Sequence, residues 1–582
     1  MSPVPRPEVR PLSAELVIGP VLRRVVGTRA TIWVETSAPA TVRVFAGPAG
    51  GEASTFSAYG HHYAMVVVEG LAPDTATPYE VFVDGARVWP EPESPYPRSV
   101  IRTRESDDTG QPVRLVFGSC RETTQHATPR KLPPDALDAF ARRLMTGTEP
   151  APDLLVLLGD QVYADIPSPA VKRFLRRRRS HEKHKPANQV VSYEEYTQLY
   201  LESWRDPEIR WLLATVPSVM IFDDHEIIDD WNSSVSWRAE VRAEPWWPER
   251  ISSGLASYWV YQHLGNLDPD QIAADPVYQK VMAAADDATE VLREFGTTVG
   301  DPPDPARRFA SPRSGERGPE GQEADGAPGY QWSYALDLGR TRLVVLDNRC
   351  SRVLDPEHRA MLPPGEWAWF AGLARGDFDH LVVGSSLPWL LPPGIHHLEA
   401  WNERLAGSPR PRVAAFAERQ RRAFDLEHWA AFQRSFDALA KLFAEVGSSG
   451  AASISVLSGD VHHSYVARAL FRGRPVATPV HQLTCSPVHN QIQSYMRPVL
   501  RLGWWRGPAV AARALARAAR VAAPAVRWRR LAGPYFGNAV STLEHDGRSA
   551  HVVIEGTTTA GDLRPVAAVD LTPGAARRPA GR

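Results

Sequence analysis

Six runs of apolar residues, each continuous and each ending abruptly in polar ones, recur in this chain: VRLVFGSC, LLVLLGD, SVMIFDD, TRLVVLDNR, HLVVGSS and SISVLSGD. A strand with one wet face alternates apolar and polar residues, so unbroken apolarity marks strands covered on both faces. Helix-like segments lie between several of them, such as DALDAFARRLM, EEYTQLYLESW and HWAAFQRSFDALAKLFAEV. That grammar predicts an α/β fold, in which ligands collect at the carboxyl ends of the strands. Those ends carry Cys120 and Arg121; Asp160, Tyr163 and Asp165; Asp223, Asp224, His225 and Glu226; Asp347 and Arg349; and Asp460, His462 and His463.

The amino-terminal part reads differently. RATIWVET, ATVRVFAG, HHYAMVVVEG and PYEVFVDG are short alternating runs split by Gly, Pro and Asp, the pattern of a small β-sandwich. The expected division is a sandwich over 14–104, immunoglobulin- or fibronectin-like, and a catalytic domain over 112–571. Residues 302–328 read as a mobile loop and 572–582 as a disordered tail. At 582 residues the chain is too long for one simple core. Its 66 Lys+Arg against 67 Asp+Glu give no bulk charge that selects a partner. Three widely spaced cysteines make neither a disulfide framework nor a zinc finger. The opening MSPVPRPEVRPLSAEL lacks the apolar core of a signal peptide. No window reaches the ~18 uninterrupted apolar residues of a membrane span. A cytoplasmic location is therefore expected, and no obligate protein partner is evident.

Thiol, phenol, carboxylates and imidazoles gathered at one sheet edge would repel one another unless cations sat among them. Cys and Tyr suit a trivalent or redox-capable iron, and the carboxylates suit a hard divalent ion. Each signal has a bland counterpart when taken alone: an inert buried thiol, a chance strand–turn, a solvated helix start, a satisfied histidine, a surface arginine. All of them would have to hold together at the ends of consecutive core strands.

The ordered set GSC, GDQVYAD, DDHE followed by DDW, LDNR, SSLPW and SGDVHHS resembles the PhoD-like alkaline phosphatases, within the calcineurin-like metallophosphoesterases. The resemblance implies a four-layer α/β/β/α catalytic domain with an Fe(3+) and Ca(2+) site. It implies Cys120, Asp160, Tyr163 and His462 as iron ligands, and Asp160, Asp224 and Asp460 as calcium ligands, with Asp223 added. His225 takes the place of a histidine that contacts phosphate and protonates the leaving group. Arg349 is assigned to grip the phosphate, with Arg121 and His463 as further substrate contacts. The implied reaction is hydrolysis of phosphomonoesters, phosphodiesters or both by a hydroxide bridging two cations, since such water has its pKa lowered from about 15.7 toward neutrality.

Two other classes compete with this reading. One is a non-catalytic metal-containing scaffold that binds phosphate polymers or lipid headgroups; the other is an iron redox enzyme using Cys120 and Tyr163. Between Asp460 and Glu544 there is no acidic residue, while arginine recurs throughout. Arg513, Arg517 and Arg520 fall on one helical face, so 497–530 is a candidate for contact with an anionic surface, against the plainer reading of an Ala-rich packing helix. A second basic run, KRFLRRRRSHEKHK, reads equally well as a solvated helix. The substrate is expected to be a phosphate ester: a small molecule, a phospholipid headgroup or a polymer.

Overall fold

The computed structural model describes residues 14–105, 110–127, 132–179, 184–284, 286–300, 330–356, 358–473 and 476–573. The stretch 302–328 and the chain beyond 573, read above as loop and tail, lie outside the described residues.

The fold is mixed α/β, built around two large sheets. The first has six strands, in the order Ser218–Ile221, Leu154–Leu158, Val113–Gly118, Ala539–Asp546, Ser549–Thr557 and Leu563–Asp570. Its first three strands run parallel and the rest antiparallel. The second has seven, in the order Tyr334–Leu338, Thr341–Leu346, His380–Ser385, Ser453–Ser458, Val480–Thr484, Ser464–Phe471 and Val526–Tyr535. Thr341–Leu346, His380–Ser385, Ser453–Ser458 and Val480–Thr484 are its parallel core.

The continuous apolarity has a direct structural reason. Leu115, Phe117, Leu154, Val156 and Leu158 share one core with Leu343, Val345, Val382 and Leu457 of the other sheet. The alternate residues Val116, Leu155 and Leu157 face helices such as Ala136–Met145 and Tyr193–Trp204. On the second sheet Val344, Leu346, Leu381 and Val383 face the helices Pro364–Leu373 and Gln433–Val446. Both faces are dry, so both side-chain sets are apolar.

The amino-terminal strands form two four-stranded sheets, which include Arg29–Thr36, Thr41–Ala46, His61–Val68 and Glu80–Val83, around their own core. The outer face of one of them, with Trp33, Tyr63 and Met65, packs into the helical core of the rest. Two buried arginines in strand Leu16–Val26 lock this contact. Arg23 donates to the Gln262 carbonyl at 2.6 Å, and Arg24 to the Asn266 carbonyl at 2.6 Å. The segment starting at His428, read as one helix, is instead a short turn, Trp429–Ala431, followed by the helix Gln433–Val446.

Candidate metal centre at the strand ends

The parallel strands of both sheets end at one place, and the backbone there is unusual. Cys120, Asp160, Asp460 and His462 all hold positive φ, at 58°, 56°, 65° and 48°. Non-glycine residues in this left-handed region are strained and cluster at functional sites. Gly159, at φ 98°, brings the Leu154–Leu158 strand end against its neighbour, where a Cβ would stand 2.6 Å from that of Asp223.

Three of the expected ligands converge. The Cys120 thiol and the Tyr163 hydroxyl lie 3.3 and 3.4 Å from the same oxygen of Asp160. Burial, with Asp160 nearby, pushes both the thiol and the phenol up, and burial also pushes the Asp160 carboxyl well above its usual range. Asp223, Asp224 and Asp460 bring one oxygen each within 4.8 Å of one another, as do Asp160, Asp224 and a nitrogen of His225. Burial raises Asp223 to about 8 even with Arg349 beside it. The Asp160 Oδ1 and Asp223 Oδ2 oxygens are buried without a hydrogen-bond partner among the described residues. Orphaned, mutually repelling carboxylate oxygens next to a thiol and a phenol fit cations. Burial lowers His462 to about 4, so its imidazole is neutral, as a metal ligand must be.

His225 is oriented by Asp165, whose carboxylate accepts from Nδ1 at 2.9 Å; Nε2 is left for the site. Burial alone would lower this imidazole, but Asp165 and Asp224 outweigh it and hold it well above its ordinary value. Its ring stacks on Tyr163 with centroids 4.3 Å apart.

Three expected substrate contacts sit elsewhere than the sequence suggested. Arg349 is fully buried and ion-paired with Asp223 and Glu427, with its last amino group facing Asp224 at 3.5 Å and Asp460 at 3.7 Å. It braces the carboxylates and presents no open fork to a phosphate. Arg121 donates to Asp135 at 2.8 Å and to the Ser203 hydroxyl at 2.8 Å, tying two helices together. His463 is buried, bonds the Val461 carbonyl at 2.7 Å and stacks against Tyr465 and Phe536.

Sequence reasoning missed the supports. Glu226 accepts backbone N–H groups from Asp160, Gln161 and Asp223 and so stitches two strand ends together. Glu427 pairs with both Arg349 and Arg352. His428 bridges Glu399 at 2.8 Å and Asp460 at 2.9 Å. Asn490 donates to the Tyr163 hydroxyl at 3.0 Å. Glu226 stood inside the DDHE motif; His428 opened a segment whose periodicity read as helix and Glu427 stood just before it, with no signal to single them out. A cavity of about 2360 Å3, lined in part by Arg24, Val113, Leu154 and Pro217, lies at the opposite ends of the first-sheet strands and takes no part in this cluster.

Residues 131–283 match the family described as PhoD-like phosphatase, and residues 13–101 match a domain of unknown function (DUF7800). The fold is similar to the solved structure of PhoD, with a TM-score of 0.59 and 12% sequence identity, covering 98% of this chain and 92% of that one. At that identity the likeness is one of fold. No curated protein sequence matches the chain. Residues 131–283 are thus similar to the PhoD-like phosphatases, the chain shares the fold of PhoD, and its strand-end acidic clusters could hold metal ions.

Proposed function

We propose that the protein is a metal-dependent phosphoesterase acting on phosphomonoesters, phosphodiesters or both, with its site at the joined strand ends. The observation that carries this is the convergence of Cys120, Tyr163 and Asp160 beside the Asp223–Asp224–Asp460 cluster. The helix–sheet–sheet–helix order of the cores supports an α/β/β/α metallophosphoesterase domain. In this reading Cys120, Asp160, Tyr163 and His462 hold a ferric ion, and Asp160, Asp224 and Asp460, with Asp223, hold calcium. Thiolate and phenolate favour the former, all-oxygen ligation the latter.

Cations bound there would acidify water and neutralise the phosphoryl oxygens. The chain's own residues supply the rest. Asp165 accepts from Nδ1 and, with Asp224, keeps His225 in its imidazolium form, so that Nε2–H donates its proton to the departing ester oxygen. Arg349 and Glu427 hold Asp223 in place, and Glu226 holds the two strand-end backbones at fixed separation. The buried walls keep bulk water from competing for these bonds.

Turnover of p-nitrophenyl phosphate and bis-p-nitrophenyl phosphate tests the reading. Asp160→Asn should cut kcat by at least ~100-fold with the far-UV spectrum unchanged. A folded variant with full activity would overturn the assignment.

A further inference from the structure

Beyond the strand-end site, the Arg-rich segment after it forms two helices, Met496–Gly503 and Arg506–Ala518. The first continues the loop whose Asn490 bonds Tyr163, so the pair adjoins the site. Its inner side is anchored: Gly503 lies against Gly394, where a Cβ would be 3.2 Å from the Gly503 backbone. Trp504 packs edge-on to Tyr465 at 5.1 Å, and Ala516 joins a small core with Ala400 and Val521.

The outer side is exposed and mixes apolar with basic residues. Tyr495, Val499 and Leu502, spaced as one helical stripe, are exposed, and Tyr495 reaches 68%. Trp505 and Val510 follow at 61% and 68%. Arg501, Arg506 and Arg517 are exposed beside them. Among the described residues, no arginine between 497 and 530 forms an ion pair, in keeping with the lack of any Asp or Glu from 461 to 543. The arginine face read from sequence is narrower than expected. Arg513 folds back onto the Val521 and Ala522 carbonyls, and Arg520 lies past the helix end at φ 63°.

We propose that the outer face of this helix pair docks on an anionic phospholipid bilayer. Uncompensated guanidinium groups complement phosphate headgroups. Exposed Tyr, Trp, Val and Leu on the same short pair have no role against a hydrated polyanion, but they are the side chains that enter the headgroup–acyl boundary. Both features belong to one partner, a lipid surface, and the proposal does not depend on the catalytic reading.

The test is flotation of the full chain with vesicles of phosphatidylcholine alone or mixed with phosphatidylglycerol. The wild type should float with the mixed vesicles only, and less as salt rises. Arg506→Glu with Arg517→Glu should lower partitioning by about tenfold or more. Trp505→Ala with Val510→Ser should lower it severalfold at unchanged net charge. Circular dichroism, gel filtration and hydrolysis of a soluble ester should be unaltered in both variants. Failure of the wild type to float would overturn the proposal. So would retention of the Trp505→Ala/Val510→Ser variant at wild-type level, above all if polyphosphate or DNA competed equally; that pattern marks a site for a soluble polyanion.

Discussion

Arg349 shows how one residue's role changes once its surroundings are known. In sequence it stands at a strand end, in LDNR, where an arginine can meet a phosphate. In the fold it is fully buried, with Asp223 on one side and Glu427 on the other. Glu427 also holds Arg352 at 2.9 Å, so one carboxylate answers two buried guanidinium groups. Removing one member of such an array leaves uncompensated buried charge, at a cost of about 3–5 kcal/mol. Glu427→Gln should therefore lower the urea-unfolding free energy by about 3 kcal/mol or more, although Glu427 is outside the proposed ligand set. A loss under about 1 kcal/mol would mean that the two arginines find other partners.

At the scale of elements, the strand ends are held by backbone geometry that side-chain chemistry alone does not reveal. Gly159 stands at φ 98°, and any Cβ there meets the Asp223 side chain at 2.6 Å. Gly159→Ala combines left-handed strain of about 1–2 kcal/mol with overpacking of about 1–3 kcal/mol. It should destabilise the protein by more than about 2 kcal/mol and separate Asp160 from Asp223; equal stability and equal metal content in the variant would refute this. The strands themselves were legible. LLVLLGD could be read as a doubly covered strand with a polar tip because both its faces meet apolar layers and its end meets the carboxylate cluster. The helices starting at Ala136 and Tyr193 were legible too, from their periodicity and from acidic first turns. Glu427, His428 and Asn490 were not legible. They reach the site from loops, and only tertiary packing decides that His428 meets Asp460 while Arg121 turns away to Asp135.

Across the whole molecule the two sheets meet again far from the site. His380 of the second sheet and His545 of the first stack face to face, with centroids 3.9 Å apart and planes 6° from parallel. His380 bonds Ser453 and the Gly547 carbonyl; His545 bonds Thr341 at 2.8 Å. Burial lowers both imidazoles below the ordinary 6.5. A depressed folded value means that the stabilisation is complete above pH 6.5 and is lost as pH falls through that lower value. The thermal midpoint should thus decline below pH 6.5, and His545→Gln, which cannot take a proton, should show a shallower decline. Parallel curves for variant and wild type would remove the pair from the acid response.

The central claim is that joined strand ends make a metal-dependent phosphoesterase. It is tested most directly by p-nitrophenyl ester hydrolysis before chelation, after it, and after metals are returned, with bound metal measured by elemental analysis at each stage. The account predicts that iron and calcium are lost with activity and return with it in the wild type, and that Asp160→Asn recovers neither. Undiminished hydrolysis by metal-free protein, or no hydrolysis by protein carrying its full metal complement, would contradict it.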